Sequence, residues 1–264
     1  WPDNAVQSKL ISEGSVIYKY FEMWQRFVYK QSDKIICISD DMKEFIVSKG
    51  VKPEKIEVIY NWGYSDDIVN ISWEENQFVK KYALDRKKFY AVYAGNIGKM
   101  QNVEIIVNAA KNLQEHKNIH FLIVGDGACK NEIEESVRGL ENVTMFPMQP
   151  SDMAIHIYSA ASVNIIPLVK GGSKIGVVLS CGKSVLFTFG SDSKIGKIIN
   201  DSGAGASVDA EDYIELSNWI CKIAEREDEE IDKEKDAGYQ MFKKFFMRSK
   251  NIKKYAKAII FHEK

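Results

Sequence analysis

Cysteine and histidine are scarce in this chain, and each scarcity closes off a class of function. The four cysteines (Cys37, Cys129, Cys181, Cys221) stand far apart with no C-x-x-C among them. Their spacing writes neither a thiolate metal site nor a disulfide scaffold, and a reducing, cytoplasmic setting fits best. The four histidines (His116, His120, His156, His262) keep no metal-ligand spacing, so no structural metal is expected. An excess of one charge is missing too. Lys and Arg number 36 against 37 Asp and Glu, a net charge of −1, which gives no broad basic field for nucleic acid. No apolar run approaches the roughly 20 residues of a membrane span; the longest, such as 119–125, have the length of buried strands. An initiator Met and a signal peptide are also lacking: the chain opens WPDNAVQ and reads as the interior of a longer protein.

What is present is the profile of a soluble α/β protein. The 264 residues, 45% hydrophobic and 28% charged, suffice for one large or two ordinary domains. Residues 15–31 place apolar side chains three and four apart, the period of an amphipathic helix. DKIICIS (33–39) and KIEVIYN (55–61) read as short strands around a helix that opens on Asp40 and Asp41 and stops at Gly50. The polar stretch 62–76 reads as a connection. A regular alternation then sets in, with strands at 89–94, 119–125, 143–146, 162–167, 184–189 and 205–208, each followed by a helical pattern. Such alternation means β-α units on a parallel sheet, and the continuous apolar runs FLIV, VNII and VLFTF suit strands covered on both faces. Residues 225–237, dense in both charges, read as a solvated helix end or loop. An amphipathic helix pair is expected over 238–261. The fold class expected is thus α/β, one complete Rossmann-like domain preceded by the end of another.

In such sheets ligands bind beyond the C-terminal strand ends, which singles out three loops. The first, Gly95–Asn102 (GNIGKMQN), joins strand to helix but is neither G-x-G-x-x-G nor a P-loop. No acidic residue ends the next strand, at Val124, to hold a ribose, which argues against a nicotinamide cofactor. A phosphate cradle of backbone amides and an ordinary glycine turn both remain open. The second, Gly125-Asp126-Gly127, reads equally as a tight turn with an aspartate cap. In the third, Gly171-Gly172-Ser173 lead into Lys174, where consecutive amides and an ammonium can converge on an anion; a solvated lysine on a glycine turn is the plainer alternative. Two phosphate-suited loops on one sheet fit a diphosphate, which needs donors from two sides.

The order and wording of YAGNIGKMQNVEIIVNAAKNL, HFLIVGDGACKNEIEE, NVTMFPMQPSDMAIHIYSAASVNIIPL and SKIGVVLSCGKSVLFTF resemble the retaining GT-B glycosyltransferases of family 4. The subgroup is that of bacterial O-antigen, capsule and exopolysaccharide assembly. WPDNAVQ and SDKIICISDDMKEFIVSKGVKPEKIEVIYN resemble the end of that family's N-terminal domain and its hinge. The resemblance implies a GT-B fold truncated at its N-terminus: residues 1–60 from the acceptor-side domain and hinge, 61–237 as the donor domain, and 238–264 as helices crossing back. It implies a metal-independent, cofactor-free transfer of a sugar from an NDP-sugar, UDP- or GDP-linked, to a lipid-linked saccharide. The setting would be the cytoplasmic face of the membrane, approached through the missing N-terminal domain, in lipopolysaccharide, capsule or exopolysaccharide biosynthesis. Gly98, Lys99, Gly171, Gly172, Ser173 and Lys174 would hold the diphosphate. Asn96, Gln101, Asp126, Phe146 and Met148 would lie near the nucleotide or sugar. The family's ribose-binding Glu falls on Val177, its first Glu has no counterpart, and the catalytic residues of the N-terminal half are absent, so the fragment is expected to be nearly inactive alone. A GT-B UDP-sugar epimerase and a non-catalytic GT-B partner subunit are the alternatives.

Overall fold

The computed structural model describes residues 2–7, 10–63, 65–69, 71–167, 174–190 and 192–260. The chain forms two compact units: residues 1–60 with 252–264, and residues 61–251.

The smaller unit contains α1 (Pro2–Gln7), α2 (Val16–Gln31), β1 (Ile35–Cys37), α3 (Asp40–Ser48) and β2 (Ile56–Val58). Ser15 caps α2 by accepting from the Tyr18 amide, and Ser39 caps α3 by accepting from Met42, each replacing a bond the first turn cannot make internally. β1 and β2 pair in parallel, Ile35 opposite Ile56. Cys37, Ile46, Val51 and Ile56 form the core between them. α2 turns Tyr18 inward, while Val16, Tyr20, Met23 and Phe27 stay exposed.

The larger unit is built on six parallel strands in the order β5-β4-β3-β6-β7-β8: β3 (Phe89–Asn96), β4 (Ile119–Asp126), β5 (Val143–Phe146), β6 (Val163–Ile166), β7 (Ser184–Phe187) and β8 (Gly205–Ser207). Alternate residues of a strand face opposite ways, and both faces of this sheet are buried. Ala91, Tyr93, Phe121, Ile123 and Leu186 meet Ile106, Ala109, Leu216 and Ile220 of α5 (Glu104–Asn112) and α10 (Tyr213–Ala224). Tyr90, Val92, Leu122 and Val124 meet Phe78 and Ile157 of α4 (Gln77–Tyr82) and α7 (Met153–Ala160). Asn76, fully buried, fixes α4: its side-chain oxygen accepts from the Phe78 and Val79 amides, and its amide donates to the His156 carbonyl. α6 (Lys130–Ser136), α8 (Ile175–Ser180), α9 (Lys194–Ser202) and α11 (Asp228–Phe245) complete this unit, and most of the last helix, α12 (Arg248–Ile260), belongs to the smaller one.

The sequence leaves 225–237 open between a solvated helix end and a loop; residues 228–237 are the first half of α11, which runs unbroken to Phe245. The physical reason is tertiary. Glu234 is buried against Arg226, with which it forms an ion pair, and Gly238 lies against Leu179 of α8. The one buried position of 228–237 is thus a carboxylate, Glu234, which carries no apolar period.

β3 and β6 are neighbours although β4 and β5 intervene in the chain. From β3 the order runs one way to β4 and β5 and the other way to β6. That reversal opens a crevice at the C-terminal strand ends.

Candidate functional site

A pocket of about 110 Å³ occupies that crevice, lined by Tyr93, Asn96, Tyr158, Asn164, Pro167 and Lys174 among others. Its roof is the loop after β3. Here β3 and β4 run side by side to their last residues, Asn96 opposite Asp126. They approach so closely that a Cβ on Gly125 would stand 1.9 Å from the Gly95 carbonyl oxygen. Ile97 is buried and clamped at both backbone ends: its amide donates to the Asp126 carbonyl at 2.8 Å, and its carbonyl accepts from Cys129 at 2.9 Å. The Tyr93 hydroxyl donates to the Asn96 carbonyl. The Asn96 side-chain amide donates to the Gln101 side-chain oxygen at 2.8 Å, bridging the loop. Asn102 turns the chain with φ 45 and donates to the Ala210 carbonyl at 2.6 Å. The carbonyls of this loop are therefore largely engaged. The amides of Gly98 and Lys99 donate to no group among the described residues, which leaves an N–H surface of the kind that takes an anion.

Lys174 lines the same pocket as Asn96 and Gln101 of that loop. Its ammonium donates to the Ala94 carbonyl at 2.6 Å and stands 5.6 Å from the centre of the Tyr93 ring. No carboxylate pairs with it among the described residues. Burial lowers its pKa from the ordinary lysine value and raises that of the Tyr93 phenol, because low polarity disfavours the charged form of each. A largely buried ammonium held by one neutral carbonyl is an uncompensated positive charge, and an anion entering the crevice would relieve it.

The remaining candidate residues are placed as follows. Lys99 and Asn96 are exposed at the loop, with Gly98 and Gln101 half-buried beside them. Asp126 does not cap α6, whose cap position is Cys129. Instead it accepts from the Gly127 amide at 2.8 Å and stands 3.6 Å from the Lys130 ammonium. Phe146 packs its ring on Phe78 and Tyr82, with centroids 5.4 and 4.2 Å away, so part of the ring serves the core. Met148 is exposed. Gly171, Gly172 and Ser173 lie outside the described residues. Val177 is half-buried on the first turn of α8.

The structure adds residues that sequence reasoning passed over. Tyr93 and Tyr158 wall the pocket. Asn164, 1% exposed, donates to the Tyr158 carbonyl at 3.2 Å while its side-chain oxygen has no partner among the described residues. Asn164 had one visible signal, a polar residue inside the four-residue apolar strand VNII.

Comparison with known proteins follows from this geometry. A family model described as Glycosyl transferases group 1 matches residues 88–226, more than half of the chain, and one described as Glycosyltransferase Family 4 matches residues 8–62. "Probable glycosyltransferase WbjE" of Pseudomonas aeruginosa is 23% identical over 236 residues, covering 85% of this chain and 58% of that protein. The chain spans about half the length of the curated relatives it matches. HepE of Anabaena, solved with UDP-glucose, superposes with a TM-score of 0.74 at 16% identity over 86% of this chain and 63% of that one. WaaG, a glycosyltransferase involved in lipopolysaccharide biosynthesis, gives 0.76 at 15% over 98% and 72%. These likenesses show the fold, an α/β architecture of the GT-B type.

Proposed function

The chain belongs to the group 1 glycosyl transferases, and from that premise we propose that its 61–251 unit binds the diphosphate of a nucleotide sugar in the crevice between β3 and β6. The observation that carries the reading is the Lys174 ammonium, which among the described residues meets no carboxylate and lines one pocket with Asn96 and Gln101, from a loop whose Gly98 and Lys99 amides donate to no described group. UDP-glucose in the complex of the like-folded HepE favours a uridine nucleotide.

The chemistry suits those groups. When the sugar–phosphate bond breaks, negative charge collects on the departing nucleoside diphosphate. Donors already aimed at that charge stabilise the transition state more than the ground state. In the retaining course proposed here, the acceptor oxygen bonds to the anomeric carbon on the face the phosphate leaves, and its proton passes to the departing phosphate. No separate protein base is then required. A lipid-linked saccharide is the proposed acceptor, in surface polysaccharide assembly at the cytoplasmic face of the membrane and without a metal. Among the described residues no group of three His, Cys, Asp or Glu is placed to hold one, and no helix is long and apolar enough to cross a membrane. Gly171–Ser173 complete the proposed diphosphate clamp, and Asn96, Gln101, Asp126, Phe146 and Met148 border the nucleotide and sugar.

Val177 favours a second reading. With a valine where the family resemblance puts a ribose-binding Glu, the unit could keep the fold and hold a nucleotide without transferring its sugar, as a partner subunit. Calorimetric titration of the chain with UDP, GDP and their sugar conjugates tests the first reading. Binding of a nucleoside diphosphate, weakened in Lys174→Met, is the expected result; no binding of any would sink it. Binding without sugar release or transfer, in the full-length protein, would select the second.

A further inference from the structure

We propose that Gly95 is a positioning residue, and that the side chain it lacks is the seat of the Lys174 ammonium. Glycines at strand–helix turns ordinarily answer to one of two demands. Gly127 shows the first, a φ of 155, which side chains rarely adopt. Gly125 shows the second, since a Cβ there would strike backbone, the Gly95 carbonyl oxygen at 1.9 Å. Gly95 answers to neither. Its φ lies outside the left-handed region. The atom that a Cβ would strike is the Lys174 Nζ, 1.8 Å away, with Lys174 Cε at 3.2 Å and the Tyr93 hydroxyl at 3.1 Å. The ammonium thus fills the volume that any other residue at 95 would need.

The seat accounts for the geometry around it. From it Nζ reaches the Ala94 carbonyl at 2.6 Å. An ammonium has three N–H donors, of which this bond uses one. Fixing Nζ fixes where the other two stand. A lysine stem held in place before the ligand arrives spares the ligand the cost of ordering it. Tyr93 supports the arrangement, with its ring beside Nζ and its hydroxyl tied to the Asn96 carbonyl. Gly95 would therefore act on the ligand only through Lys174.

The inference rests on the reading of Lys174 as the diphosphate cation, and the test separates the two. UDP is titrated into four versions of the full chain: native, Lys174→Met, Gly95→Ala, and the double variant. Lys174→Met should weaken binding about 10- to 100-fold, the loss of a charge-assisted hydrogen bond. Gly95→Ala should reproduce most of that loss alone and add nothing in the Lys174→Met background, where the seat is empty. A merely structural role for Gly95 would show the same loss in both backgrounds. The Gly95→Ala chain should fold, because the displaced atom is the end of a flexible side chain. Should it unfold instead, the double variant decides: recovery of the native melting temperature supports the seat, and no recovery overturns it. UDP binding unchanged by Lys174→Met overturns the donor-site reading and the seat together. Binding weakened by Lys174→Met but untouched by Gly95→Ala overturns the seat alone.

Discussion

Placing a carboxylate at position 177 is the sharpest test of the proposed nucleotide pose. Val177 sits on the first turn of α8, its amide donating to the Lys174 carbonyl at 3.1 Å. Its neighbours Gly176 and Val178 are buried, and Gly176 abuts Phe246, where a Cβ would meet the Phe246 Cβ at 2.9 Å. Val177 itself is half-exposed, so Val177→Glu puts a charge where water still reaches and should not cost the fold. Glutamate also suits a helix better than valine by a few tenths of a kcal/mol. If the ribose lies beside this turn, its hydroxyls donate to the new carboxylate. One such charge-assisted bond is worth about 1.5–3 kcal/mol, which tightens UDP roughly 10- to 100-fold. The competing effect is an ion pair between the new carboxylate and Lys174 three residues earlier. Lys174 is already held at the Ala94 carbonyl, 2.6 Å away, and leaving it for the new carboxylate would give up that bond. Calorimetry with UDP and with 2′-deoxy-UDP measures the effect. Val177→Glu should favour UDP, with a smaller gain for the deoxy compound. No gain, or an equal gain for both, would refute the placement of the ribose at α8.

Further expectations concern stability. Glu234→Ala should destabilise the larger unit by about 1–3 kcal/mol in urea unfolding, because it takes the buried partner from the partly exposed Arg226 guanidinium; a loss well under about 1 kcal/mol, the worth of an exposed pair, would refute the role of that burial. His120 has its pKa lowered from 6.5, by desolvation first and by Lys88 second. The unfolded chain therefore binds this proton more readily, so stability should fall as pH drops from 6.5 towards the lowered value. His120→Gln should flatten that part of the pH dependence of the urea midpoint, and an unchanged slope would contradict the assignment.

The parallel sheet was legible because its strands are apolar runs at regular spacing, covered on both faces as VNII and VLFTF suggest. The first half of α11 was not. What holds it is an ion pair from Glu234 to Arg226, eight residues away, and a glycine against α8, and neither leaves a periodic mark. The candidate site divides the same way. The loop at 95–102 and Lys174 stood out because few residue types can hold a phosphate. Tyr93, Asn164 and the special place of Gly95 did not. Their meaning arises only when β3 and β6, some 70 residues apart, become neighbours. Phe146 illustrates a residue with two claims on it, since the ring expected near a nucleotide also packs on Phe78 and Tyr82.

That no described group accepts from the Gly98 and Lys99 amides has a consequence for detection. They lie between β3, whose amides are locked into the middle of a sheet, and the buried helix α5. In deuterium they should exchange at nearly the rate of an open chain while their flanks remain protected for far longer. A ligand that accepts hydrogen bonds from these two groups would slow them selectively. That local change would report occupancy of the crevice with no acceptor, no turnover and no knowledge of the sugar.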